Sequence, residues 1–198
     1  MLPDVPAVEA TPQSKPQARE RILDTVYELF SRRAVRDVGV DEVIERAGVA
    51  KATLYRHFPS KDDLVIAFLQ RREERWTVAW VEAEARRRGT TPEEQLLAIF
   101  DLFDEWFQRD DFEACSFINV LLEMGPSHPV GQASLQHLAN IRSVVARLAE
   151  EAELRDPESF AHSWHILMKG SIVSATEGDA QAAQRARTMA RLLIEQHR

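Results

Sequence analysis

The stretch Lys51-Ala52-Thr53-Leu54-Tyr55-Arg56-His57-Phe58 offers two cations, a hydroxyl, a phenol and an imidazole, and no carboxylate. Each of those polar groups can donate a hydrogen bond to a phosphate oxygen. Thr and Lys can also reach base edges when a short helix lies in a major groove. Leu54 and Phe58 are four residues apart and must share the inward face of such a helix, which leaves Lys51, Thr53, Tyr55, Arg56 and His57 outward. Composition alone reads this surface equally well as a wet basic helix face.

The elements that would hold this stretch are legible from periodicity. Ile22, Val26, Leu29 and Phe30 mark one face of a first helix, with Arg19, Asp24, Glu28 and Arg32 opposite. A second helix is expected from about Val40, with Val43, Ile44 and Ala47 inward and Asp41 and Glu42 in its first turn, ending at Gly48. The third is expected over Lys51–Phe58, stopped by Pro59, because a residue before proline resists the helical conformation. Ser60 and Asp63 then form a capping box for a fourth helix. Two short helices joined by a glycine turn make a helix-turn-helix.

Across all 198 residues only seven glycines and nine prolines occur, and four of the prolines (Pro3, Pro6, Pro12, Pro16) lie in the first sixteen positions. Sandwiches and barrels need frequent turn signals, so an all-α chain is expected. Taken whole, the net charge of −7 disfavours nucleic acid, yet it is uneven: −2 over residues 1–14, +2 over 15–75 and −7 over 76–198. That split permits a DNA-facing surface near the N-terminus without requiring one.

Residues from about Gln17 to Leu69 resemble the DNA-binding region of the TetR family of bacterial transcriptional regulators. Three stretches carry the likeness: 21–30 (RILDTVYELF), 40–49 (VDEVIERAGV) and, most specifically, 51–64 (KATLYRHFPSKDDL). The resemblance implies that Ala52 and Thr53 approach base edges with Lys51 beside them, that Tyr55 and His57 grip phosphates, and that Lys61 takes another. Arg56 joins them on the outward face. Two departures from the family pattern stand out. Ala34-Val35 replaces the usual Gly-aromatic pair, and Val38-Gly39 replaces a capping Thr or Ser, so no side-chain phosphate bond is expected there. Arg36 or Arg46 could compensate.

The implied architecture is an N-terminal three-helix helix-turn-helix unit linked by a long helix to a C-terminal helical ligand-binding and dimerisation domain. The expected division is a disordered arm over 1–16, a DNA-binding domain over 17–62 and an effector and dimer domain over 63–198. The linking helix is expected from Lys61 to Arg88, roughly 42 Å long at 1.5 Å per residue, with Gly89 as its stop. Further helices are expected over 96–107, 117–124, 129–153, 157–177 and 180–197.

An apolar effector pocket is expected from Trp80, Phe100, Phe103, Phe107, Phe117, Trp164 and Met168, with Asn119, Glu123 or His165 fixing orientation. Aromatics at helical spacing are otherwise ordinary core. A homodimer interface is expected on the last two helices, from His162, Leu167, Gly170, Ser171, Ser174, Met189, Leu192 and Leu193, with Ile172 and Val173 on the same stripe. Such a dimer would read a pseudo-palindromic operator.

Other chemistry finds less support. Cys115 is the one cysteine, so no intramolecular disulfide forms, and a reducing, cytoplasmic setting is expected. Asp110, Asp111 and Glu113 should raise its pKa and keep it an inert buried thiol. His162 and His165 could share a metal, but no third ligand is evident and no cofactor is expected. Phosphate loops, HExxH and nucleophile-elbow motifs are missing, which disfavours an enzyme. No membrane partner is expected either, because no apolar run approaches the length of a span. The leading expectation is a ligand-responsive repressor; an activator, or an architectural DNA-binding protein without an effector, stays open.

Overall fold

A computed structural model describes residues 18–198, and the expected arm over 1–16 lies outside them. All the elements among the described residues are helical. They are α1 (Ala18–Arg32), a single 3-10 turn (Val35–Asp37), α2 (Val40–Ala47), α3 (Lys51–His57), α4 (Lys61–Arg72), a π-wound stretch (Glu73–Glu82), α5 (Ala83–Arg88), α6 (Pro92–Phe107), α7 (Ser116–Met124), α8 (Pro129–Glu151), α9 (Pro157–Thr176) and α10 (Ala182–His197). The chain divides into two compact units, one ending at Phe68 and the other running from Leu69 to Arg198.

In the first unit the periodic face of α1 is interior as expected: Ile22, Val26, Leu29 and Phe30 are all buried, together with Leu23. Phe68 is the hub, with the rings of Tyr27 and Phe30 each 5.7 Å away in edge-on contact. Gly48 closes α2 in the left-handed region at φ 61°, where a Cβ is disfavoured, and its N–H returns to the Glu45 carbonyl at 3.2 Å. Val49 N–H reaches the Ile44 carbonyl at 3.3 Å, so α2 ends cleanly before α3 begins two residues later. Phe58 leaves helical geometry at φ −138°, ψ 95°, so α3 stops one residue short of the expected end. Ser60 Oγ accepts from Asp63 N–H at 3.2 Å, and Ser60 N–H donates to Asp63 Oδ2 at 2.9 Å, completing the capping box.

In the second unit helical winding continues from α4 but loosens over Glu73–Glu82, where Ala83 N–H reaches back five residues to the Val78 carbonyl. This change of pitch was not legible in the sequence, which reads as one regular helix. Gly89 follows α5 where there is no room for a side chain: a Cβ there would stand 2.3 Å from the Gln95 backbone nitrogen. α6 begins four residues before the expected Leu96, because Thr91 and Glu94 form a reciprocal capping box around Pro92. The remaining helices match their expected spans to within one or two residues at each end.

Candidate DNA-reading face and C-terminal site

Leu54 on α3 and Phe58 just after it point inward at 0% and 3% exposure, while Lys51, Ala52, Tyr55 and Arg56 are exposed and Thr53 and His57 half-buried. Lys61, in the first turn of α4, is half-buried. The structure thus gathers the sequence-derived set Lys51, Ala52, Thr53, Tyr55, Arg56, His57 and Lys61 around one short helix and the turn after it. Lys51 Nζ lies 3.4 Å from Asp41 Oδ1, but both side chains are well exposed, so the pair is weak and easily exchanged for a phosphate.

α2 is capped by Gly39 with no side-chain hydrogen bond, and Val38 beside it is fully buried. The missing hydroxyl therefore has no local substitute in the cap. Val35, in place of the family's aromatic, is buried and fills the core. Arg46 is drawn to Glu42 at 3.8 Å, and Glu42 is also held by Arg33 at 2.7 Å. One residue escaped sequence reasoning: Arg21 on α1 donates to the Ala47 and Gly48 carbonyls at 3.3 and 3.4 Å, tying α1 to the turn before α3. Its place beside Ile22 on the helix gave no sign of that role.

In the second unit the expected pocket residues fall in several places. Trp80, Phe103 and Phe107 join Trp76, Trp106 and Phe112 in one cluster of rings with centroids 4.9–6.1 Å apart. Phe100 links that cluster, through Phe103, to Trp164 at 5.2 Å. Trp164, His165 and Met168 are buried on α9. Phe117 stacks instead on His137 at 5.2 Å, and the expectation for Asn119 needs correcting: it is exposed, on the opposite side of α7 from buried Phe117.

His137 Nδ1 stands 2.9 Å from Glu73 Oε2, and Asn140 donates to Glu73 Oε1 at 2.6 Å, fastening the start of the π-wound stretch to α8. His137 and Asn140 lie 64 and 67 residues beyond Glu73, so no local pattern announces this network. Burial, reinforced by the positive charges of Lys169, Arg142 and His162, lowers the His165 pKa to about 3. Its imidazole is therefore neutral near pH 7. His162, three residues earlier, is exposed.

Cys115 is buried, and its thiol pKa is raised as expected, but burial is the cause; the charges acting on it are those of Arg72 and Lys169, which oppose the shift. Asp111, expected to act on the thiol, is committed to Arg109 at 2.5 Å.

On the last two helices His162, Gly170, Met189 and Leu192 are exposed, and Leu167, Ser174 and Leu193 half-buried. Two expectations change. Ser171 is buried, with its hydroxyl donating to the Met168 carbonyl at 2.8 Å, and Ile172 is 4% exposed, so both belong to the interior of the chain. Val173, expected on that stripe, is 50% exposed, and Ile166, outside the expected set, is 66% exposed; both lie with His162 and Gly170 at helical spacing on one face of α9.

Residues 22–68 match the family model described as bacterial regulatory proteins, tetR family. The chain is 35% identical over 94 residues to the HTH-type transcriptional activator FasR of Mycolicibacterium smegmatis, a stretch covering 48% of this chain and 42% of that protein. It is 36% identical over 95 residues to the HTH-type transcriptional repressor KstR of Rhodococcus jostii, with the same two coverages. The chain thus spans less than half the length of these curated relatives. A TetR-family transcriptional regulator from Streptomyces coelicolor, solved by crystallography, superposes with a TM-score of 0.79 at 25% identity, over 91% of this chain and 95% of that one. Reduced NemR of E. coli shares the fold, with a TM-score of 0.77 at 18% identity over 89% and 97%.

Proposed function

We propose that the chain, whose residues 22–68 match the TetR family of bacterial regulatory proteins, is a DNA-binding transcriptional regulator that acts as a homodimeric repressor and releases operator DNA when a small apolar or amphipathic effector binds its C-terminal unit. The observation that carries the reading is the outward surface of α3, which is rich in donors and free of carboxylates. Ala52 and Thr53 would meet base edges, Tyr55, Arg56, His57 and Lys61 would meet phosphates, and Lys51 would exchange Asp41 for DNA.

One short helix buries too little surface to specify a site alone. A twofold dimer supplies two, spaced by about 34–36 Å to enter successive major grooves of a pseudo-palindrome. The exposed apolar side chains Ile166, Val173, Met189 and Leu192 on α9 and α10 support that pairing. Among the described residues no helix is long and apolar enough to cross a membrane, and an operator-bound regulator would work in the bacterial cytoplasm.

The aromatic interior of the second unit supports an effector site built from Trp80, Phe100, Phe103, Phe107, Phe117, Trp164, His165 and Met168. An effector shifts the equilibrium only by preferring the conformer that fails to bind DNA, and DNA must then weaken effector binding by the same factor. The activator name of one relative favours a second reading, in which the same switch promotes transcription. Titrating compounds against the protein–operator complex tests the proposal: release supports an effector-relieved repressor, tightening supports the second reading, and a complex indifferent to every compound contradicts ligand response.

A further inference from the structure

This inference rests on the ligand-responsive reading and names the chemistry of the effector. The interior of the second unit holds several buried polar atoms with no hydrogen-bond partner among the described residues: Trp76 Nε1, Thr77 Oγ1, Ser116 Oγ, Ser134 Oγ, Trp164 Nε1 and His165 Nδ1. All six side chains are more than nine-tenths buried, and Trp164 and Ser134 are fully so. Buried polar groups are ordinarily satisfied, because leaving one unpaired costs its full desolvation.

The two indoles are tied together by rings. Trp76 touches Phe103 at 5.8 Å, Phe103 touches Phe100 at 6.1 Å, and Phe100 touches Trp164 at 5.2 Å. An indole N–H can only donate, so whatever satisfies it must bring an acceptor. The hydroxyls can donate as well, while the neutral His165 has one donor and one acceptor nitrogen.

We infer that the effector is a neutral molecule with an aromatic or alicyclic body, whose oxygen accepts a hydrogen bond from the indole N–H of Trp164 or Trp76. A bare hydrocarbon would leave these donors unmet. A carboxylate would need a buried cation at hand. Arg72 is the buried cation among the described residues, and it already interacts with other groups. Lys169 and Arg142, whose charges reach His165, are half-buried.

Three probes of one skeleton test the inference by calorimetric titration of the full chain: benzophenone, which has one carbonyl acceptor; diphenylmethane, which has none; and 4-benzoylbenzoate, which adds a carboxylate. Benzophenone should bind at least about tenfold more tightly than either of the others. Trp76→Phe and Trp164→Phe, made separately and checked for native helicity, keep an aromatic ring and lose the donor; at least one of them should cut that preference to below about threefold. The inference is overturned if benzophenone does not bind, if diphenylmethane equals it, if the carboxylate binds most tightly, or if both Phe variants keep the preference. Release of operator DNA by diphenylmethane or 4-benzoylbenzoate would overturn the inference while sparing ligand response. Tight benzophenone binding that leaves operator affinity unchanged would instead count against ligand response.

Discussion

The guanidinium of Arg21 caps the far end of α2 through the carbonyl of Ala47, with its Nε 3.3 Å from that oxygen and its Nη2 3.4 Å from the carbonyl of Gly48. These carbonyls stand where the turn hands the chain to α3, so the angle of the reading helix depends on a side chain that itself lies on α1. Arg21→Met keeps the aliphatic stem and removes both bonds. It should lower unfolding free energy by about 1 kcal/mol and weaken operator binding several-fold, while leaving the salt dependence unchanged. Urea unfolding with fluorescence anisotropy at several salt concentrations checks this; a shallower salt slope would make Arg21 a phosphate contact instead.

Tyr55→Phe and Lys61→Ala probe the proposed contacts themselves. Both residues are solvent-accessible and neither supports the core, so stability should hold within about 0.5 kcal/mol. Each change should weaken operator binding, and only the lysine change should lower the salt slope, by about one unit. Unchanged affinity and slope would remove these residues from the interface.

The outer face of α9 and α10 yields a prediction about assembly. Ile166→Asp and Leu192→Asp place charge at positions 66% and 62% exposed in the single chain, where folding should tolerate it. In a dimer the same carboxylates would be desolvated against apolar neighbours. Sedimentation should show a dimer for the parent protein and a monomer for the double variant, with native helicity retained. A dimer unaffected by both charges would move the interface elsewhere.

His165 links stability to pH. Its pKa is about 3 in the fold against an ordinary 6.5, so between those values the unfolded chain takes up a proton that the folded chain refuses. Stability from this residue therefore rises with pH up to the ordinary value and is flat above it, with a slope of about 1.4 kcal/mol per pH unit. His165→Leu should flatten that portion. Urea midpoints compared between parent and variant at about pH 5 and pH 7 give the difference directly; equal pH dependence would mean the imidazole is not held neutral by burial.

Local signals made the first unit readable. Gly48, the break at Phe58-Pro59 and the Ser60–Asp63 box each act within a few residues, and the structure keeps all three. The second unit was readable as helices but not as a site. Phe103 and Phe117 look alike in a sequence; one sits among tryptophans and the other on His137, because three-dimensional packing decides between them. Ser171 and Ile172 illustrate the same limit, since a mixed small and apolar stripe does not say which side of a helix faces the chain's own core. The pairing of Glu73 with His137 and Asn140 depends on α8, far along the chain, and the winding loosens from that same Glu73 onward.

The central claim is that two copies of the α3 surface read DNA together. Selection of bound fragments from a random duplex pool by the purified protein tests it most directly. The account predicts an enriched pseudo-palindrome with half-site centres about one helical turn, or a multiple of it, apart, lost when the protein carries Thr53→Ala with Tyr55→Phe. Enrichment of a single unpaired half-site, no enrichment at all, or the same motif from the doubly substituted protein would contradict it.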